Sequence, residues 1–212
     1  MIVLIGGEKG GTGKSTLAKN LAVYLQQQGK EVMTIDADPQ GTLYRWASRR
    51  KDNSNVAAVL CSQLLGSKIA NELRSLASKY DVVLVDAGGQ DNGALRAAMV
   101  VATHMLIPIQ PKFSDLETLP HVASILEELA LYNPDIQYKT VMSMCPTLPS
   151  QAKDILDAKE FCASVGIPSL NAITHARVVY DNMNATGLTA FESDNEKAKA
   201  EVIEIAQEFL GV

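Results

Sequence analysis

Residues 9–15, Lys9-Gly10-Gly11-Thr12-Gly13-Lys14-Ser15, constrain this chain more than any other stretch. They follow a short apolar run, Ile2-Val3-Leu4-Ile5, and precede a helical pattern from Thr16 to Gln28. A strand, a glycine-rich turn and a helix in that order make a phosphate-binding loop. Glycine has no Cβ, so the backbone can curl around a phosphate and point its N–H groups inward. The N-terminus of the following helix adds partial positive charge. In such a loop Lys14 reaches the β- and γ-phosphates and the Ser15 hydroxyl ligates Mg²⁺. Gly10, Gly11, Thr12, Gly13, Lys14, Ser15 and Thr16 are therefore the candidate nucleotide cradle, against the plain alternative of an accidental glycine-rich turn.

Apolar strand-like runs alternate with helical patterns along the rest of the chain. The expected strands are Ile2–Ile5, Glu31–Ile35, Val56–Leu60, Val82–Asp86, His104–Ile109 and Tyr138–Met144. Runs such as Val82-Val83-Leu84-Val85 carry no polar alternation, which suits strands buried on both faces of a parallel sheet. Helices are expected over 14–28, 42–50, 63–79, 92–101, 115–131, 151–164 and 195–210. Gly29 is placed to end the first helix, and Ser114 or Asp115 to cap the fifth. The alternation implies an α/β fold with a doubly wound, mainly parallel sheet flanked by helices. No repeat, low-complexity tract or long linker appears, so residues 1–212 read as one domain.

Composition removes several function classes. The chain has 212 residues, 47% hydrophobic and 20% charged, enough for one α/β domain with a full core. No run approaches the 18 or so apolar residues of a membrane span, and the N-terminus lacks the basic region of a signal peptide. Cys61, Cys145 and Cys162 show no C-x-x-C spacing and read as neutral thiols in a reducing cytoplasm. His104, His121 and His175 are scattered and suggest no metal cluster. Net charge is −5, which argues against a whole-surface nucleic-acid binder. The charge is uneven: residues 42–79 carry a balance of +5 and residues 190–212 a balance of −4.

Two acidic segments complete a phosphoryl-transfer set. Asp36-Ala37-Asp38-Pro39-Gln40 puts two carboxylates where the chain leaves the second strand, with Pro39 stiffening the turn. Asp86 ends the apolar strand 82–86, where a carboxylate lies near the metal and binds it through water. A solvated Asp-Pro turn and a helix N-cap are the plain alternatives. Phosphoryl transfer needs positioning and charge neutralisation more than covalent chemistry. Lys9, Lys14, Ser15, Asp36, Asp38 and Asp86 supply cations, a metal site and a water-positioning carboxylate, and no Ser/His/Asp or Cys/His arrangement competes with them.

Position 8 holds Glu8, where the common G-x-x-x-x-G-K-[ST] loop has glycine, and a second lysine, Lys9, opens the loop. Lys9 through Ser15 spell K-G-G-x-G-K-[ST], which resembles the deviant Walker A loop of the ParA/MinD family of P-loop ATPases. The resemblance implies ATP and Mg²⁺ as ligands. It implies that Lys9 reaches across a homodimer interface to the partner's nucleotide, so that catalysis depends on dimerisation. It makes 36–40 the first switch, with Asp38 orienting or deprotonating the attacking water and Asp36 acting through a Mg²⁺-bound water. Many ParA-like proteins read D-x-P-P after the next acidic strand, whereas this chain has Gly88-Gly89. Ile107-Pro108-Ile109-Gln110-Pro111, Arg177-Val178-Val179-Tyr180 and 187–192 resemble further family segments, so the likeness covers most of the chain. The absence of a clear N-K-x-D segment leaves adenine as the expected base.

The resemblance further implies a partition or cargo-positioning ATPase. Such a protein is cytoplasmic, binds DNA without sequence preference in its ATP state and so associates with the nucleoid, and has its slow turnover stimulated by a ParB-like or other cargo adaptor. The chain starts almost directly on its first strand, without the N-terminal helix-turn-helix of larger ParA proteins. Its tail, 196–210, is amphipathic but acidic, unlike a MinD-type membrane helix, so no membrane partner is expected. Val202, Ile205, Ala206, Phe209 and Leu210 are expected to pack inward. Candidate DNA contacts are Arg45, Trp46, Arg49, Arg50 and Lys51, with Lys153, Lys159 and Arg177 as rivals. A solvated helix with Trp46 inward is the plain reading of the first group. A P-loop metabolic enzyme, such as an ATP-dependent amidoligase or kinase, a non-catalytic nucleotide-gated scaffold and a membrane-targeted MinD-like ATPase are the alternatives. A NifH-type reductase lacks the paired cysteines it would need.

Overall fold

The computed structural model describes residues 1–66, 68–89 and 93–212. Its elements run β1 (Ile2–Ile5), α1 (Lys14–Gln27), β2 (Val32–Asp36), α2 (Thr42–Asp52), β3 (Leu60–Gln63), α3 (Ile69–Ala77), β4 (Val82–Asp86) and α4 (Gly93–Met99). They continue with β5 (His104–Ile109), α5 (Phe113–Leu116), α6 (Leu119–Leu129), β6 (Gln137–Cys145), α7 (Ala152–Ser164), β7 (Ser169–His175), α8 (Val178–Thr186) and α9 (Glu196–Leu210). Short 3₁₀ turns cover Pro149–Gln151 and Ala190–Glu192.

The seven strands form one sheet in the order β3-β2-β4-β1-β5-β6-β7, and every adjacent pair is parallel. Side chains alternate across the strands, so β1 feeds both layers. Ile2 and Leu4 pack with α3, α4, α6 and α7, while Val3 and Ile5 pack with α1, α2 and α9. Both faces are covered, which is why the central strands are apolar without interruption. The α/β parallel architecture expected from the alternation is the one found. β1, β4 and β5 have the bounds read from the sequence. The tail packs inward as expected, with Val202, Ile205, Ala206 and Phe209 buried.

Several expectations are corrected. The third strand is Leu60–Gln63 rather than Val56–Leu60, and β7 and α8 were not anticipated. The helix expected over 63–79 begins at Ile69, because Gln63 still pairs in the sheet with Asp36. The helix expected over 115–131 is two helices, since Pro120 lies in the first turn of α6, where a missing N–H is tolerated. Asp115 does not cap it; its carboxylate accepts the Gln110 backbone N–H at 3.0 Å. Ser114 lies inside α5, bonded to Asp115. The first residue of the helix expected over 92–101 lies outside the described residues. Among the described residues no helix is long and apolar enough to cross a membrane.

All strands point their carboxyl ends the same way, so the segments that follow them share one rim. Gly6 to Lys14 follow β1, Ala37 to Gly41 follow β2, and Ala87 to Gly89 follow β4. Gln110 follows β5, and Ala176 and Arg177 follow β7. In open α/β sheets ligands bind at this rim.

Candidate functional site

Parallel pairing brings Asp36 and Asp86 side by side, because they are register partners on adjacent strands β2 and β4. Both are buried. Burial pushes the Asp86 carboxyl up to about 7, with nearby Asp36 adding to the rise and a hydrogen bond from the Ser15 side chain opposing it. Asp86 Oδ2 has no hydrogen-bond partner among the described residues. A buried carboxylate oxygen without a donor is expensive, and a hard cation shared with the Ser15 hydroxyl would satisfy it. The described residues contain no group of three or more His, Cys, Asp or Glu that could cage a metal alone. That suits Mg²⁺, which takes few protein ligands and completes its shell with phosphate and water.

Asp36 has a different neighbourhood. Its two oxygens accept the backbone N–H groups of Asp38 at 3.0 Å and Tyr44 at 2.8 Å. One carboxylate thus fixes both the turn after β2 and the first turn of α2, with a lone pair left on each oxygen. Burial raises its pKa, against those backbone bonds. Asp38 is half-buried and accepts the Gln40 N–H at 2.9 Å. Its carboxylate lies against Gly88, 3.2–3.4 Å from where a Cβ on that residue would stand.

The glycine-rich loop is braced from two neighbouring strands. Gln110 Nε2 donates to Gly11 O at 3.0 Å, and the Ser143 hydroxyl of β6 donates to Thr12 O. Lys14 is 7% exposed and its Nζ donates to Lys9 O at 2.5 Å. Burial lowers its pKa, while Asp86, Asp38 and Asp115 raise it. The Lys9 ammonium makes no hydrogen bond or ion pair among the described residues. Glu8, in the unusual position, pairs with His121 Nε2 of α6 at 3.0 Å. Gly89 closes over the loop: a Cβ there would stand 2.8 Å from Gly10 N and 3.0 Å from Lys9 C.

Among the described residues a cavity of about 540 Å³ lies between Gly10, Asp38, Pro39, Gly88 and Gly89, and two more adjoin the loop. One of about 420 Å³ holds Lys14, Ser15, Lys19, Asp38, Thr42 and Asn184 in its wall, and all the expected cradle residues except Thr12 line it. Thr12 is buried beneath. The second, about 270 Å³, shares Gly13, Thr16 and Met144 with it and is closed by Thr174, Ala176, Arg177 and Tyr180. This second wall comes from β7 and α8, so sequence reasoning missed it. Met144 has φ 52, a left-handed conformation unusual outside glycine, at the end of β6. Lys19 and Asn184 were missed too; an unpaired lysine in the buried stripe of α1 was the available signal.

Two of the expected DNA contacts are buried. Trp46 is fully buried and donates to Leu188 O at 3.0 Å. Arg50 is 1% exposed, pairs with Glu192 at 2.6 Å, and bonds Ala57 O and Gly187 O. Both are corrected as surface contacts. Arg49 donates to Asn184 O at 2.6 Å and Arg45 to Gln40 O. Arg177 bonds Glu201 through Nε and Nη2, and Lys159 donates to Asn171 O at 2.8 Å. Lys51 and Lys153 are exposed.

The profile of the CobQ/CobB/MinD/ParA nucleotide binding domain matches residues 3–212. The chain is 25% identical over 185 residues to maintenance of carboxysome distribution protein A of Halothiobacillus neapolitanus, covering 87% of this chain and 83% of that one. MinD cell division protein of Aquifex aeolicus superposes with a TM-score of 0.76 at 19% identity, over 100% of this chain and 97% of that one. Cobyrinic acid a,c-diamide synthase of Mycobacterium smegmatis, with bound ADP and magnesium, superposes with a TM-score of 0.77 at 15% identity, over 97% and 92%. At these identities the structural likenesses speak for the fold.

Proposed function

The chain belongs to the CobQ/CobB/MinD/ParA nucleotide-binding domain family, and from that premise we propose that it is an ATPase switch that dimerises on ATP and segregates or positions a cargo. In this reading residues 1–212 act as one ATPase domain. The cradle 10–16 binds the phosphates, and the cavity beside Met144 and Ala176 takes the adenine end. Ser15 and Asp86 would hold Mg²⁺, with Asp36 behind it through water. The ion would supply charge neutralisation at the β- and γ-phosphates. Lys14 leaves the Lys9 carbonyl for phosphate oxygens. Asp38 orients the attacking water and accepts its proton, placed against Gly88.

One observation carries the dimer reading. Lys9 has its backbone fixed, by Lys14 at its carbonyl and by Gly89 against its carbonyl carbon, while its ammonium has no partner among the described residues. A cation held at the mouth of a phosphate site and not used within its own chain fits a role across a dimer. The ATP dimer then binds DNA non-specifically, through exposed cations such as Lys51 and Lys153, and associates with the nucleoid of the cytoplasm. An adaptor on the cargo, ParB-like or the equivalent for a protein compartment, accelerates a slow intrinsic hydrolysis and opens the dimer. The carboxysome-distribution relative supports a compartment as cargo as readily as a plasmid or chromosome.

The test compares wild type and Lys9→Ala for ATP affinity, turnover and binding to random-sequence duplex DNA with ATP, with ADP and without nucleotide. We expect the variant to keep ATP affinity within threefold, to lose turnover at least 100-fold, an effect of the size of losing one charge-stabilising group, and to lose ATP-dependent DNA binding. Unchanged turnover, with no DNA binding by wild type in any state, would transfer the chain to the amidoligase branch of its family.

A further inference from the structure

Lys19 lies one helical turn beyond Ser15 on α1 and is 1% exposed, although lysine is almost never fully buried without a partner. It lines the phosphate-side cavity with Ser15, Thr42 and Asn184. Its ammonium donates to Asn184 Oδ1 of α8, a neutral acceptor. Burial pulls its pKa down to about 8, while Asp86 and then Asp36 pull it up, and Arg45 and Arg49 of α2 push it down again. Among the described residues no hydrogen bond joins Lys19 to Asp86, whose Oδ2 has no partner there. The cation and the two carboxylates therefore act on each other through a buried, weakly screened space rather than through an ion pair.

We propose that Lys19 is the resident counter-ion of the Asp36–Asp86 pair: it balances the pair before a divalent cation enters and opposes that cation once it has entered, and so sets the metal affinity of the site. The inference rests on the reading of Ser15 and Asp86 as a Mg²⁺ site. Two carboxylates on adjacent strands repel, and both are held away from water. A fixed ammonium nearby offsets that repulsion when the site holds no ion. The same ammonium repels an arriving Mg²⁺ across a low-dielectric gap. The bond to Asn184 keeps the nitrogen from collapsing onto Asp86, which leaves the Oδ2 free for metal. Lys19 thus positions charge; it does not touch the reacting atoms.

The experiment measures ADP affinity by calorimetry on the full chain, once in EDTA and once in excess Mg²⁺, for wild type, Lys19→Met, Lys19→Gln and Lys19→Arg. The ratio of the two dissociation constants reads what the metal contributes. We expect that ratio to rise at least tenfold in the two neutral variants and to stay within threefold of wild type in Lys19→Arg. A neutral variant whose ratio stays within twofold of wild type overturns the proposal, because a purely structural lysine would weaken both constants together. Asn184→Asp, which leaves Lys19 in place and neutralises it, is expected to raise the ratio in the same sense and decides the matter if neither neutral variant folds. Wild type that binds ADP with no Mg²⁺ dependence fails the metal-site reading itself, a result separate from the behaviour of position 19.

Discussion

Asp86 and Glu201 are both buried carboxylates, and their surroundings could hardly differ more. Among the described residues Asp86 has one side-chain donor, Ser15, and an oxygen with no partner. Glu201 accepts from His175 N and Nδ1, Arg177 Nε and Nη2, and Tyr180 OH. Burial lifts Asp86 to about 7. Burial would lift Glu201 too, but the bonds from Arg177 and His175 outweigh it and lower its pKa. One carboxylate is saturated and ties α9 to the wall of the cavity of about 270 Å³. The other is kept short of donors at the phosphate end. Completeness marks structure here, and deficit marks the site.

The sharpest way to break this comparison is Asp86→Asn. If the orphan oxygen is there for a cation, the variant loses turnover by 100-fold or more, the scale of removing one electrostatic stabiliser. Metal-free stability should move the other way. A carboxyl whose folded pKa is raised stabilises below its unfolded value, near 3.8, and loses that contribution as pH rises to about 7. The difference is about 4 kcal/mol at neutral pH, at 1.36 kcal/mol per pKa unit. In EDTA, then, wild type should gain resistance to urea as pH falls from 7 toward 4, and Asp86→Asn should show a flatter profile. A variant as active as wild type, or a wild-type profile flat over that window, removes Asp86 from the metal role.

Glu201→Gln tests the other half. It leaves Arg177 with a neutral partner in a half-buried network, which costs about 3 kcal/mol on the scale of broken buried ion pairs. The pH sign is opposite to that of Asp86. A carboxylate with a lowered folded pKa stabilises above its unfolded value of 4.5 and loses that contribution as pH falls below it. Urea unfolding of this variant should therefore lose the acid limb that wild type shows below about pH 4.5. If the cavity that Arg177 lines takes the base, ADP affinity should fall with stability, whereas Asp86→Asn separates the two.

The two carboxylates were not equally legible in the sequence. Asp86 ends a continuous apolar run, and such runs fix both the strand and its exit, so β1, β4 and β5 were read to the residue. Asp36 followed from the same logic on β2. Glu201 sits on an acidic, amphipathic helix whose inward face was readable, but its partners lie on β7 and α8. Those elements were missed for a physical reason. Only Met183 of α8 is buried, so the helix has almost no apolar stripe to read. β7 is an edge strand with part of its backbone satisfied by Glu208 and Glu201 rather than by a second strand. β3 is the other edge, four residues long and half-exposed, and its Leu-Cys-Ser-Gln carries no apolar pattern. Within the basic run 45–51 only the inward turn of Arg50 was illegible, because charge alone does not show whether a guanidinium faces water. Arg50 stacks on Trp46 and pairs inward with Glu192.

The smallest expected effect concerns the contact of Gly89 with the glycine-rich loop. After Asp86 and Ala87 the chain carries Gly88-Gly89. Neither glycine has a positive φ, so the backbone conformation does not demand glycine at either position. Space demands it at 89, since a Cβ would meet Gly10 N at 2.8 Å and Gly10 Cα at 2.9 Å, backbone atoms that cannot swing aside. Gly10 itself is open, with nothing within 4 Å of its own Cβ position. Gly89→Ala must therefore push the segment at 88–89 off the loop, at the 1–3 kcal/mol typical of overpacking. The thermal midpoint of the nucleotide-free variant should drop accordingly, while a state in which this segment has already left Gly10 should feel little of it. If the closed contact belongs to the resting form, ATP will raise the midpoint of Gly89→Ala more than that of wild type. Equal shifts would mean that Gly89 stays on Gly10 in both states, and that the contact is a fixed wall of the loop.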